Sequence, residues 1–249
     1  MKKLDHIDKL PARLDFIQSA TGIILALFIS GHILFESSIL ISKDAMYNMT
    51  LFFEGYYFIG SKHPIIITML ASTILLIIIV HAIVALRKFP ANYRQYKAMK
   101  EHMARMNHHD TSLWAIQVIT GFAMFFLASV HLYIMISQPE MIGPYASSER
   151  ISVDMMWPMY LLLLFAVVIH AGVGIYRLIL KWGLFEADQQ KFMKQRRALL
   201  RTIMYFVVTL YLVVGMASLA RYMQIGYEHD FEDGERYYPQ SKVLQGVAK

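Results

Sequence analysis

Five unbroken apolar runs dominate this chain, at about residues 16–41, 64–86, 112–137, 156–181 and 199–220. Each is close to the roughly 20 residues that a helix needs to cross the hydrocarbon core of a bilayer. A backbone in lipid must satisfy its own hydrogen bonds, which leaves helices and closed barrels as the only spanning structures. Barrel strands are shorter and alternate in hydropathy, and these runs do neither. The expected fold is therefore all-α, a membrane protein of five transmembrane helices. Composition agrees: 57% of residues are hydrophobic and 17% charged, where a soluble domain carries about 25% charge. The connections are short, so one bundle is expected over residues 1–221, followed by a tail over 222–249.

The opening stretch, MKKLDHIDKLPARLD, is charged, and the first apolar run is too long for a signal-peptide core, so no cleaved leader is expected. Cysteine is absent. That excludes disulfides, thioether-linked haem and cysteine-held iron–sulfur clusters within this chain.

Lysine and arginine set an expected orientation. Lys2, Lys3, Lys9 and Arg13 precede the first run, and Arg87, Lys88, Arg94, Lys97, Lys100 and Arg105 join the second to the third. Lys191, Lys194, Arg196 and Arg197 join the fourth to the fifth, whereas the other two connections hold only Lys43, Lys62 and Arg150. The positive-inside rule puts the N-terminus in the cytoplasm and the tail, with its EHDFEDGER stretch, outside. Topology thus accounts for the net charge of +6, and no nucleic-acid partner is indicated.

Four of these runs carry a histidine in apolar surroundings: LFISGHILF, IIIVHAIVAL, LASVHLYIM and FAVVIHAGVGIYRL. At 1.5 Å per residue, His32 lies about 24 Å and His131 about 28 Å along helices that run outward. His81 lies about 9 Å and His170 about 16 Å short of the inner end of helices that run inward. Depth sorts them into an outer pair, His32 with His131, and an inner pair, His81 with His170. Ionisable groups inside a membrane are costly and usually functional. Two neutral imidazoles facing each other can hold a haem iron from both sides, a closed site suited to electron transfer. Zinc and copper ordinarily take three or four protein ligands. A proton relay is the competing use of such histidines, but it does not require pairing.

Gln18, Thr21, Gly22 and His32 recur at identical spacing as Gln117, Thr120, Gly121 and His131. Matching roles are expected for the two helices, with Gln18 and Thr21 at the level of the inner pair. Gly172 and Gly174 serve either approach of a macrocycle or close helix packing.

LDFIQSATG, LRKFPANYRQYK, DTSLWAIQVITGFAMFFLASVHLYIM, IGPYASSER and HAGVGIYRLILKWG lie within residues 14–221. On these the chain resembles the dihaem cytochrome b membrane anchor of quinol:fumarate and succinate:quinone reductases, in its single-subunit five-helix form. The resemblance implies two b haems, ligated by His32 with His131 and by His81 with His170. It implies that Gln18, Ser19, Trp114 and Lys181 meet the propionates of the inner haem, and that Arg150 serves the outer one. It implies menaquinone or menaquinol as substrate and an iron–sulfur and a flavoprotein subunit as partners. It also implies a bacterial inner membrane and a dimer of heterotrimers. Glu54, in LFFEGYY, matches the position that accepts a proton from quinol. Read without the family, Glu54 is a loop carboxylate, Trp114 an interfacial anchor and Lys181 a snorkelling cation.

One position departs from the family. Some members place a glutamate two residues before the fourth histidine to carry protons across the membrane; here it is Val168. A path through that side chain is absent, so turnover is expected to move net charge across the membrane. Glu36 lies four residues beyond His32 on the same face. It is either a proton-exchanging group at the outer quinone site or an interfacial carboxylate.

His6, His63, His102, His108, His109 and His229 are expected in solvated loops or tails. Residues 91–106 read as a basic helix for docking the iron–sulfur partner or for contact with lipid headgroups. Several alternatives remain on the sequence alone. They are a succinate dehydrogenase anchor working as a succinate:menaquinone reductase, a histidine-bearing transporter without haem, a haem-free structural anchor, and a b-type cytochrome of another dehydrogenase.

Overall fold

A computed structural model describes residues 9–106, 109–184, 190–232 and 235–239. Lys2, Lys3, His6 and His108 lie outside the described residues, as do the last ten residues of the expected tail. Among the described residues every regular element is a helix. In chain order these are α1 (Leu10–Glu36), α2 (Lys43–Phe53), α3 (Tyr56–Ile59), α4 (Ile65–Leu86), α5 (Tyr93–Met106), α6 (His109–Ser137), α7 (Pro144–Ser152), α8 (Trp157–Lys181) and α9 (Gln190–Glu228). The helices α1, α4, α6, α8 and α9 are long and apolar enough to cross a membrane.

The ends of these helices follow local chemistry. Pro11 and Pro158 occupy first-turn positions of α1 and α8, where a missing N–H costs nothing. A 3₁₀ turn over Ser37–Leu40 follows α1, and Ser42 then caps α2 by accepting from the Ala45 N–H at 2.9 Å. The first long helix therefore stops at Glu36 rather than near 41. The fifth is longer than hydropathy indicates, 39 residues, or about 58 Å. Its ends are basic or mixed and project past a hydrocarbon core of about 30 Å.

The long helices are apolar around most of their circumference, because their outward surface meets lipid rather than water. Leu27, Phe126 and Phe206, each about two-thirds exposed, lie on that surface. α1 packs on α4 and α8, α6 packs on α4 and α8, and α9 packs on α8 from outside. Close packing along α9 depends on small residues. A Cβ at Gly172 would stand 2.3 Å from Val208, and one at Gly215 would stand 2.5 Å from Leu164. A Cβ at Gly226 would lie 1.9 Å from Ser152 of α7. Gly172 therefore belongs to helix packing.

The two ends of the bundle differ. At the end where α1 begins, the Asp15 carboxylate pairs with Arg87, with Lys88 at 2.9 Å and with Lys181 at 3.5 Å. At the other end α2, α3 and α7 form a cap. Residues 229–232 and 235–239 of the expected tail fold back on this cap. His229 stacks on Tyr145 at 4.1 Å and pairs with Glu235 at 2.9 Å. It is thus packed, not solvated, because a planar cation-capable ring between an aromatic face and a carboxylate gains from both. His109 is exposed, as expected, but opens α6 rather than lying in a loop, and it bonds to the Tyr205 hydroxyl at 2.9 Å.

Candidate functional site

The inner faces of α1, α4, α6 and α8 enclose a cavity of about 1090 Å³, above the roughly 300–1000 Å³ of a pocket for one small ligand. All four intramembrane histidines line it, as do Gln18, Ser19, Trp114, Arg150, Lys181 and Glu36. It extends along α1 from Gln18 to Glu36, both of which line it.

His32 and His131 face each other with ring centroids 6.0 Å apart. With metal–imidazole bonds of about 2 Å, that separation leaves room for one metal atom between two ring nitrogens. Phe28 stacks on His32 at 5.6 Å, and Tyr160 meets His131 edge-on at 5.7 Å. Arg150 is buried on the same wall and donates to the Met141 carbonyl at 2.5 Å. Tyr222 of α9 donates to the Glu36 carboxylate at 3.0 Å.

His81 and His170 are each held by the repeated motif. Thr21 gives its hydroxyl proton to the Ile17 carbonyl at 2.7 Å, so at 3.0 Å from His81 Nδ1 its oxygen can only accept. His81 therefore carries its proton on Nδ1 and keeps a lone pair on Nε2. His170 is treated alike: its Nδ1 faces the Gln117 carbonyl at 2.9 Å and Thr120 Oγ1 at 3.3 Å. Thr120 spends its own proton on Ile116. An outer partner that fixes the tautomer of a histidine is what a metal-ligating imidazole requires. The two motif glycines complete the match. A Cβ at Gly22 would stand 3.3 Å from His81 Cε1, and one at Gly121 would stand 3.0 Å from His170 Cε1. The echo thus serves the histidines of α4 and α8 rather than those of its own helices. Gly174 lines the cavity opposite the Gln117 amide, unlike Gly172.

The residues fit a metal delivered inside a planar ligand. Among the described residues no three His, Cys, Asp or Glu side chains converge as a protein-only metal site. Among the described residues two buried side-chain polar atoms, Gln18 Oε1 and His131 Nδ1, have no partner. Both belong to cavity-lining residues, and an unsatisfied buried polar atom marks a place where a bound group or water belongs.

Glu54 sits elsewhere. It caps α2 and is only 4% exposed, yet it lies outside the large cavity. It lines a separate chamber of about 30 Å³, and Thr50 and Ile142 border both spaces. Burial pushes the Glu54 carboxyl up, against the opposing pull of Lys62 and Arg236. Several cavity and end groups escape a reading by sequence, namely Arg177 donating to Gln117 Oε1 at 2.5 Å, Asp15, Tyr160 and Tyr222. The signal for Arg177 was its place seven residues beyond His170, two turns along one helix face.

Fold and site together define a polytopic helical membrane protein with four histidines lining one cavity, two of which face each other. Residues 93–214 match the family described as succinate dehydrogenase/fumarate reductase transmembrane subunit. The fumarate reductase cytochrome b subunit of Helicobacter pylori strain 26695 is 48% identical over 218 residues, covering 88% of this chain and 83% of that protein. Its counterpart in Wolinella succinogenes is 47% identical over 221 residues, covering 88% and 85%. The chain belongs to the family of cytochrome b membrane-anchor subunits of fumarate reductase.

Proposed function

We propose that this chain holds two b haems in the bacterial inner membrane and joins menaquinol oxidation to the iron–sulfur and flavoprotein subunits of a fumarate reductase complex. The observation that supports the reading is the facing of His32 and His131 across the cavity, with His81 and His170 on its wall. His32 faces His131 at 6.0 Å, and His81 and His170 have Nδ1 engaged so that Nε2 is available. Haem bound to such pairs supplies one-electron redox chemistry. The chain's residues supply the rest. Thr21, Gln117 and Thr120 orient the imidazoles, and apolar lining residues exclude water. Gln18, Ser19, Trp114 and Lys181, all on the cavity wall, meet the inner propionates in this reading, which the 3.4 Å approach of Lys181 to Ser19 Oγ supports. Arg150 is the cation beside the outer pair.

Glu54 is the proton acceptor for quinol in this reading; burial raises its carboxyl pKa and makes it a better base, while Lys62 and Arg236 oppose that shift. The N-terminus and α5 face the cytoplasm, where the basic α5 meets the iron–sulfur partner. Val168 is buried on α8 and cannot exchange a proton. This favours a second reading, in which succinate reduces menaquinone with help from the membrane potential.

A dithionite-reduced minus oxidised spectrum with pyridine haemochrome quantitation tests the proposal. Two b haems per chain are expected. One haem would mean that a pair is wrongly assigned, and none in a folded, haem-supplied preparation would overturn the electron-transfer reading in favour of transport.

A further inference from the structure

We propose that the C-terminal segment 235–239 is a working part of the Glu54 site: it roofs a water-holding chamber through which the proton taken up by Glu54 leaves, and its Arg236 is one of two cations facing that carboxylate. The inference rests on the reading of Glu54 as proton acceptor.

The chamber's size excludes the substrate. About 30 Å³ accommodates one or two waters, since roughly 10–15 Å³ of such space suffices for one. Its walls are polar enough to hold them, with the Glu54 carboxylate, the Thr50 hydroxyl, Lys62, Glu140 and Arg236. Quinol belongs on the far side of Thr50 and Ile142, in the large cavity. Substrate and exit compartments are thus separate, divided by one side-chain layer.

The tail is fastened over this chamber by specific contacts. The Tyr237 hydroxyl donates to Asp44 of α2, and Tyr237 and Tyr238 pack on Tyr47 with centroids 6.1 and 6.2 Å away. Lys43 lies over the rings of Tyr145 and Tyr237, and Lys62 over those of Tyr47 and Tyr238. Such stacking holds a backbone segment that has no regular hydrogen bonding of its own.

The charges facing Glu54 can be taken element by element. The connection before α4 gives Lys62, the connection after α6 gives the exposed Glu140, and the tail gives Arg236. The phenols are Tyr47 of α2, Tyr145 of α7, and Tyr237 and Tyr238 of the tail. Burial and the Asp44 carboxylate push Tyr237 up, so it stays neutral while Glu54 titrates. Burial favours the protonated carboxyl; Lys62 and Arg236 favour the carboxylate. In the transfer, a quinol O–H bond breaks in the large cavity, and the Thr50 hydroxyl, which borders both spaces, takes that proton as it gives up its own, so that a Glu54 O–H bond forms. That bond then breaks to chamber water, and the water passes the proton to solvent past Glu140. Arg236 keeps Glu54 acidic enough for the second step.

The test uses Arg236→Gln in the intact complex. Infrared difference spectra follow the C=O stretch of protonated Glu54 against pH, the band being assigned by its loss in Glu54→Gln. Losing the cation favours the protonated form. The band's midpoint is expected to move to higher pH, and the acid limb of dimethylnaphthoquinol:fumarate activity to move with it at constant haem content. Arg236→Lys, which retains the charge, is expected to restore the wild-type midpoint. A midpoint and pH profile that stay in place, while Glu54→Gln is inactive, would overturn the role of the tail. Full activity in Glu54→Gln would instead overturn the reading on which it rests.

Discussion

Replacing Gly121 with alanine adds one carbon, and the structure states where it goes. The new Cβ would lie 3.0 Å from Cε1 and 3.4 Å from Nδ1 of His170. Carbon pairs are most stable at about 3.5–4.0 Å, so the ring must retreat by about 0.5–1 Å. Retreat stretches the 2.9 Å bond from Nδ1 to the Gln117 carbonyl beyond hydrogen-bonding range. Removing the outer partner of a ligating histidine weakens the metal site by about 10–100-fold, or about 1.4–2.8 kcal/mol. Gly22→Ala is the built-in control. Its Cβ would meet His81 at 3.3 Å, a contact that a few tenths of an ångström relieves. Haem retention against apomyoglobin as competitor, followed optically and by redox titration, separates the two variants. Gly121→Ala should lose one haem about 10–100-fold more readily while the other stays, and Gly22→Ala should remain near wild type. Equal retention and identical titrations in both variants would refute the reading that Gly121 makes room for a haem-ligating His170.

Two further predictions follow from the same geometry. Glu36→Gln should slow quinol oxidation by about tenfold or more, below the 10²–10⁴ of a full acid–base residue, at unchanged haem content. Unaltered rates would reduce Glu36 to the partner of Tyr222. With Val168 where a proton carrier is needed, turnover in proteoliposomes should generate a potential, each charge working against or with about 2.3 kcal/mol per 100 mV; a voltage-sensitive dye that stays silent during turnover would sink that idea.

Much of this protein is written in local chemistry. Hydropathy alone yields five spans, because lipid demands long apolar helices whatever their partners. Their count, their order and the four histidines are therefore legible residue by residue. Helix rise sorts the histidines by depth, since 1.5 Å per residue is a property of any α-helix. The spacing of Gln18, Thr21 and Gly22, repeated at Gln117, Thr120 and Gly121, announces a shared role for two helices.

What that role is could only come from packing. A threonine accepts from a histidine on a neighbouring helix because α1 lies against α4 and α6 against α8, and no intrahelical period encodes that choice. Packing also divides Gly172, pressed on Val208, from Gly174 on the cavity wall. Arg177, Asp15 and Tyr222 gain meaning only from partners 60 to 186 positions away in sequence. The separation of Glu54 from the large cavity, and the return of residues 235–239 over it, belong to tertiary structure as well. A polar tail has no periodicity to betray its docking; aromatic faces and lysines brought together by the cap decide it.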